Sequence, residues 1–488
     1  MHDPNPTTSN LGYLSAHDVL VRLAAGGLTS LDLVDTLIER VSQVDAPESH
    51  TAVNAVAALS DDARAQANAR DNERQSGGAL GALHGVPVLV KDNVEAIGLP
   101  GLAGSTSLIG RPSRDATLVT RLRNAGAIVL GSTNLSQWAN IRSPRSTSGY
   151  SATGGLVANP WALDRSAGGS SSGSGAALAA GLAPLAVGTE TDGSIVSPAS
   201  MNGVVGLKPT VGAVPTTHVV PISASQDSPG PMGRHVADVA LMFSVLAQQE
   251  PRSAEATSMV VAKNWRTGHP TTDQMFDEVV NELRGAGLTM NDRDLAIPGE
   301  SEGRDELAVL LGEIVDDMSE YLAQRPGEGV RSLADVIAYE DEHAEIEQRY
   351  FGHEFFLEAV ASGGRAGAAY MESRPRNLAW ALDTCLEPGI EGADVIIAPA
   401  YGPTWKSDLI VGGHPGPASP VTGPPAIAGW PILSLPMGLV NGLPVGLAIV
   451  GRANDEWTIL DAARRIEAVL RAASPWPSPQ WQAPTRGQ

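Results

Sequence analysis

The sequence predicts an α/β protein built on a central mixed, mostly parallel β-sheet flanked by helices on both faces, with a long helical insertion. Three observations predict it. Short β-branched runs at 86–90, 127–130 and 185–187 alternate with helix-like segments at 116–124 and 175–181. Glycine is abundant, at 53 residues, while aromatic residues make up only 4%, a composition suited to tight loops and close packing of helices on strands. Residues 251–390 lack glycine–serine tracts and carry Glu302, Asp305, Glu306, Glu313, Asp316 and Asp317 at helical spacing.

The elements follow in order. Residues 15–42 read as an amphipathic helical pair. Ser15 opens the first helix, Gly26 and Gly27 close it, and Thr29 or Ser30 caps the second, where Leu33, Val34, Leu37, Ile38 and Val41 form one apolar face. The alanine-rich stretch 52–74 reads as a further helix. Strand texture returns at 394–399 and 443–450, a closing helix spans 456–472, and the proline-rich stretch 474–488 reads as a flexible tail. The expected organisation is a single domain over 1–488, with its core at about 60–250 and 391–475 and the insertion at about 251–390.

Bulk properties exclude several functions. A formal charge of −21 supplies no positive field for a nucleic-acid partner. No apolar run approaches the ~20 residues of a membrane helix. The start, Met1-His2-Asp3-Pro4-Asn5, lacks the basic and apolar regions of a secretory signal. The expectation is a cytoplasmic monomer or homodimer, with neither nucleic acid nor membrane as partner. The single cysteine, Cys385, excludes an internal disulfide, and its helical surroundings (Leu382, Asp383, Leu386) mark a packed thiol. The ten histidines are scattered without paired spacing, so neither a metal nor another cofactor is expected.

The chemistry-bearing residues lie elsewhere. Lys91 ends the apolar run Val86-Pro87-Val88-Leu89-Val90, where a central strand emerges into a site. Burial disfavours its charge; to act as a base near neutral pH its pKa must fall by about three units, a cost of about 4 kcal/mol. Strand alternation sends Asp92 to the opposite face. An ordinary strand-end lysine would look the same in isolation. Ser194 lies in Thr191-Asp192-Gly193-Ser194, where glycine permits a tight turn with free amide N–H groups, suited to a nucleophile beside an oxyanion hole or to a plain turn serine. Ser170 opens the tract Ser170-Ser171-Ser172-Gly173-Ser174-Gly175 and could simply cap the following helix. Gly169-Ser170-Ser171-Ser172-Gly173 also fits a nucleophile elbow centred on Ser171, but the segment before it is loop-like and no histidine follows His414. A phosphate-binding loop is excluded because Ser174-Gly175-Ala176 supplies no lysine.

Taken together, Lys91, the tract 168–175, the tract Gly188-Thr189-Glu190-Thr191-Asp192-Gly193-Ser194-Ile195 and the segment Gly203-Val204-Val205-Gly206-Leu207-Lys208-Pro209-Thr210 resemble the amidase signature family, over about 15–475. Ser225-Gln226-Asp227-Ser228-Pro229-Gly230-Pro231-Met232 and the stretch 329–338 resemble the bacterial peptide amidases, which release ammonia from C-terminal peptide amides. Ser172 and Asp192 stand where many members carry glycine, and both fit that branch. The resemblance implies the amidase signature fold and an amide hydrolase acting through an acyl-enzyme. It makes Ser194 the nucleophile, Ser170, on a cis bond after Gly169, the proton relay, and Lys91 the neutral base. Backbone amides of Thr191, Asp192, Gly193 and Ser194 would hold the oxyanion, and Ser171 would brace the network. The expected substrate is a peptide or small-molecule amide, with Trp138, Asn140 and Ser148 of the 136–148 loop as candidate pocket residues. A second expectation is the glutaminase component of a tRNA-dependent amidotransferase; the acidic charge and long insertion speak against it.

Overall fold

Strands covered on both faces read as continuous apolar runs, and all five residues of Pro87–Lys91 are buried. The structure, a computed structural model, describes residues 8–46, 52–78, 80–110, 113–413, 416 and 418–473. Among these, eleven strands form one sheet: β1 (Val56–Leu59), β2 (Pro87–Lys91), β3 (Ile128–Thr133), β4 (Leu185–Glu190), β5 (Val205–Lys208), β6 (Ser228–Gly233), β7 (Ser258–Ala262), β8 (Thr289–Arg293), β9 (Val395–Pro399), β10 (Ile432–Val440) and β11 (Leu443–Val450). Their spatial order is β1-β3-β2-β4-β6-β5-β10-β11-β9-β7-β8.

The sheet is mixed, as expected, and parallel pairing occupies two blocks: β3-β2-β4 and β9-β7-β8. The strands between the blocks pair antiparallel, as does the edge strand β1. Asn441 and Gly442 join β10 to β11 with φ of 53° and 77°, the left-handed pair that a two-residue hairpin turn requires.

Period-two alternation distributes side chains between two cores. Met259, Val261, Val395 and Ile397 enter one, beside Phe276, Val280, Trp457 and Ile466 of helices Pro270–Gly285 and Glu456–Ala473. Val260, Ala262, Ile396 and Ala398 enter the other, with Trp265, Leu386 and Trp430. A third cluster joins Leu311, Ile314, Met318 and Leu322 of helix Glu300–Gln324 to Trp138, Val220, Ile222 and Phe356. This last cluster seats the acidic helical segment over loops that follow β3 and β5.

Two expectations are corrected. Within 52–74, Val56–Leu59 is an edge strand and the helix runs Ala63–Ser76. The span 251–390 is not purely helical, because β7, helix Pro270–Gly285 and β8 extend the sheet before the helices from Glu300 onward. Polar β8 (Thr289-Met290-Asn291-Asp292-Arg293) carries the charges that blunt a sheet edge, which hides its strand character. The capping expectations hold: Ser15 and Thr29 accept from the amides of Asp18 and Asp32 at 3.0 Å each. The tail at 474–488 lies outside the described residues. Among the described residues no helix is long and apolar enough to cross a membrane.

Candidate active site

β2 delivers Lys91 at its carboxyl end with 0% exposure. Its Nζ lies 2.7 Å from Ser170 Oγ, 2.9 Å from Thr189 Oγ1 and 3.2 Å from the Thr189 carbonyl oxygen. Burial lowers its pKa to about 7, and the carboxylates of Asp227 and Glu190 oppose only part of that fall. Asp92 faces away, with Oδ2 accepting from the amides of Leu102 and Gly104. A neutral amine has two N–H groups and one lone pair. With the N–H groups donated to the two oxygens of Thr189, the lone pair is left for the Ser170 O–H. That is the orientation a base needs.

The bond between Gly169 and Ser170 is cis. A Cβ on Gly169 would meet Ser136 Oγ at 2.5 Å, so no larger residue fits there. Ser171 donates to the Thr189 carbonyl at 3.0 Å and accepts from the Thr189 amide at 3.1 Å. Its own amide donates to the Ser194 carbonyl at 3.1 Å. Both serine tracts are thereby tied to the residue that orients Lys91.

Gly193 takes φ of 74°, and a Cβ there would lie 2.6 Å from Tyr401 Oη. Within the described residues, the amides of Thr191, Asp192, Gly193 and Ser194 have no hydrogen-bond acceptor, whereas the next two, Ile195 and Val196, donate to Glu190 Oε2 at 2.6 and 2.9 Å. Four free donors beside a hydroxyl suit a developing oxyanion. Ser194 is 8% exposed, against 0% for Ser170, so it stands nearest to solvent of the two.

The 136–148 loop corrects part of the sequence reading. Trp138 is core: its indole N–H donates to Glu340 Oε1 at 2.9 Å and its ring meets Phe356 edge-on. Trp138, Ala139 and Asn140 all have positive φ. Such a run of non-glycine residues persists only where its surroundings hold it. Buried Arg142 and Glu340, 3.3 Å apart, supply part of that hold. Asn140 donates to Ser148 Oγ at 3.0 Å, and Ser148 Cβ lies 3.1 Å from the Cβ position of Gly169. The structure therefore brings Ser148 and Asn140 to the serine tract and leaves Trp138 beneath it. A cavity of about 290 Å³ is lined by Asn93, Ala139, Thr189, Thr191, Val219 and Tyr321, among others. It adjoins the Thr189–Thr191 turn, while Lys91, Ser170 and Ser194 lie outside its walls.

Sequence reasoning missed Thr189, Glu190, Asp227 and Asn93. Thr189 and Glu190 stand inside the quoted tract and could have been found by asking what satisfies a buried lysine. Asp227 accepts from Thr191 Oγ1 at 2.6 Å and from the amides of Ile222 and Ser223; nothing local in sequence announces it. Cys385 is a packed thiol, with Sγ 3.5 Å from the Ala296 carbonyl and its pKa pushed up to about 12 by burial. No group of three or more His, Cys, Asp or Glu among the described residues is arranged to hold a metal ion.

The chain is similar to known amidases. The Amidase family model matches residues 32–460. A probable amidase of Arabidopsis thaliana is 33% identical, covering 96% of this chain and 92% of that protein. A glutamyl-tRNA(Gln) amidotransferase component from Symbiobacterium thermophilum is 33% identical, covering 92% of this chain and 95% of that protein. The crystal structure of native peptide amidase from Stenotrophomonas maltophilia superposes with a TM-score of 0.88 at 36% identity, covering 96% of this chain and 98% of that one.

Proposed function

The chain belongs to the amidase family and is an amide-hydrolysing enzyme; from that premise we propose that it releases ammonia from the C-terminal carboxamide of peptides, using Ser194, Ser170 and Lys91. The observation that carries this reading is the 2.7 Å contact between Ser170 and a buried lysine of pKa about 7. Ser194 Oγ attacks the carboxamide carbon while its proton passes to Ser170, whose own proton passes to Lys91 Nζ. The negative oxygen is held by the amides of 191–194. As the C–N bond breaks, the proton returns through Ser170 to the leaving nitrogen and ammonia departs. Water then attacks the Ser194 ester, giving up one proton along the same route; as the ester C–O bond breaks that proton returns through Ser170 to Ser194 Oγ, and the carboxylic acid leaves.

The likeness to peptide amidase at 36% identity favours peptide amides over small aliphatic or aryl amides as substrates. The test is ammonia release from a peptide amide, free glutamine and benzamide under identical conditions. The peptide amide should give the highest kcat/KM. A preference for glutamine would overturn the substrate assignment in favour of a glutaminase.

A further inference from the structure

We propose that Asn93 is a specificity-determining residue whose Oδ1 accepts an N–H group on the acyl part of the substrate, selecting α-acylamino carboxamides over carboxamides that lack this N–H. The inference deepens the peptide-amide reading above and rests on it.

Asn93 lies two residues beyond Lys91, and both side chains reach Thr189 Oγ1: Lys91 Nζ at 2.9 Å and Asn93 Nδ2 at 3.0 Å. The residue lines the 290 Å³ cavity and is itself only 4% exposed. Its backbone is fixed as well, because its carbonyl accepts from the Val220 amide at 2.8 Å. With Nδ2 committed to Thr189, the amide cannot swing freely, and Oδ1 is a buried acceptor without a partner among the described residues. Buried acceptors are nearly always paired; one in a cavity wall is paired by what enters the cavity.

The neighbouring acceptors are already used. Thr189 Oγ1 accepts from both Lys91 and Asn93, and both oxygens of Asp227, another lining residue, accept from Thr191, Ile222 and Ser223. An N–H donor entering here therefore finds Asn93 Oδ1 open. Thr191 forms part of the same wall and belongs to the turn whose amides face the reacting carbonyl. An acyl group seated in the cavity has its carbonyl end toward that turn and its next atoms beside Asn93. In a peptide amide those atoms include a backbone N–H.

The test compares ammonia release from N-acetyl-alaninamide and from O-acetyl-lactamide, its counterpart with oxygen in place of the acylated nitrogen. The wild-type enzyme should prefer the N–H substrate by about tenfold in kcat/KM, the value of one hydrogen bond. Asn93→Ala should bring the ratio to within about twofold, and Asn93→Asp, which keeps an acceptor, should retain the preference. A role confined to holding Thr189 would slow both substrates and leave the ratio intact in Asn93→Ala, overturning the proposal. Equal wild-type rates overturn it without any variant and leave the peptide-amide reading standing. Turnover of neither substrate, with benzamide or glutamine hydrolysed, overturns the reading itself and the proposal with it.

Discussion

Lys91 Nζ and Ser170 Oγ lie 2.7 Å apart, joined by a hydrogen bond that spans 79 residues of chain, and neither side chain is exposed. Burial, the largest influence on the lysine, lowers its pKa from 10.5 to about 7. The base form is therefore populated at neutral pH and lost as pH falls. kcat/KM should rise with pH through a limb centred near 7. Lys91→Met should lower kcat by at least ~10²-fold and flatten that limb; the check is a pH–rate profile of both proteins on one peptide amide.

The same burial sets a stability prediction. The folded-state pKa of about 7 lies below the unfolded value of 10.5, so between those values the unfolded chain binds the extra proton. Stability accordingly rises with pH across this window. The shift corresponds to about 5 kcal/mol at ~1.4 kcal/mol per unit. Lys91→Met should thus resist urea better than wild type at pH 6–7, with the advantage shrinking toward pH 10.5. Urea midpoints at three pH values check it.

The serines of the site differ in partner, and substitution at Ser171 should be milder than at Ser194 or Ser170. Ser194→Ala should abolish ammonia release with the fold intact by circular dichroism. Ser170→Ala should also lose nearly all turnover, because it is the residue in contact with Lys91. Ser171→Ala removes only the two bonds to Thr189 and should reduce kcat by about tenfold, in line with one or two neutral hydrogen bonds.

Gly193 combines φ of 74° with a Cβ position 2.6 Å from Tyr401 Oη. Gly193→Ala should cost about 1–3 kcal/mol of stability and, by moving the 191–194 amides, at least ~10²-fold in kcat. Denaturant unfolding and steady-state kinetics on the same preparation separate the two effects.

Much of this was legible in the sequence where chemistry constrains a short stretch. Lysine at the end of Val86–Val90, glycine before Ser170 and glycine before Ser194 each mark a backbone or burial demand that few residues meet. The hairpin of β10 and β11 was also within reach, since Asn441-Gly442 is the turn pair it uses; Pro431 and Pro436 disguised the first strand. β1 and β8 were hidden for a different reason. Both are edge strands, and their part-exposed, largely polar or alanine-rich residues carry no apolar run. Trp138 read as a pocket wall because an aromatic in a loop suggests binding, yet its depth is set by Glu340 and Phe356, some 200 residues away. Asn93 and Asp227 act only through partners that the fold brings to them.

The most direct measurement is the site of covalent capture by a serine-reactive fluorophosphonate, located by mass spectrometry at several pH values. A single adduct on Ser194, forming faster as pH rises through about 7 and nearly absent in Lys91→Met, is the predicted result. An adduct on Ser170 or Ser171, or labelling of Ser194 that is indifferent to Lys91, would contradict a hydroxyl activated through a buried neutral amine.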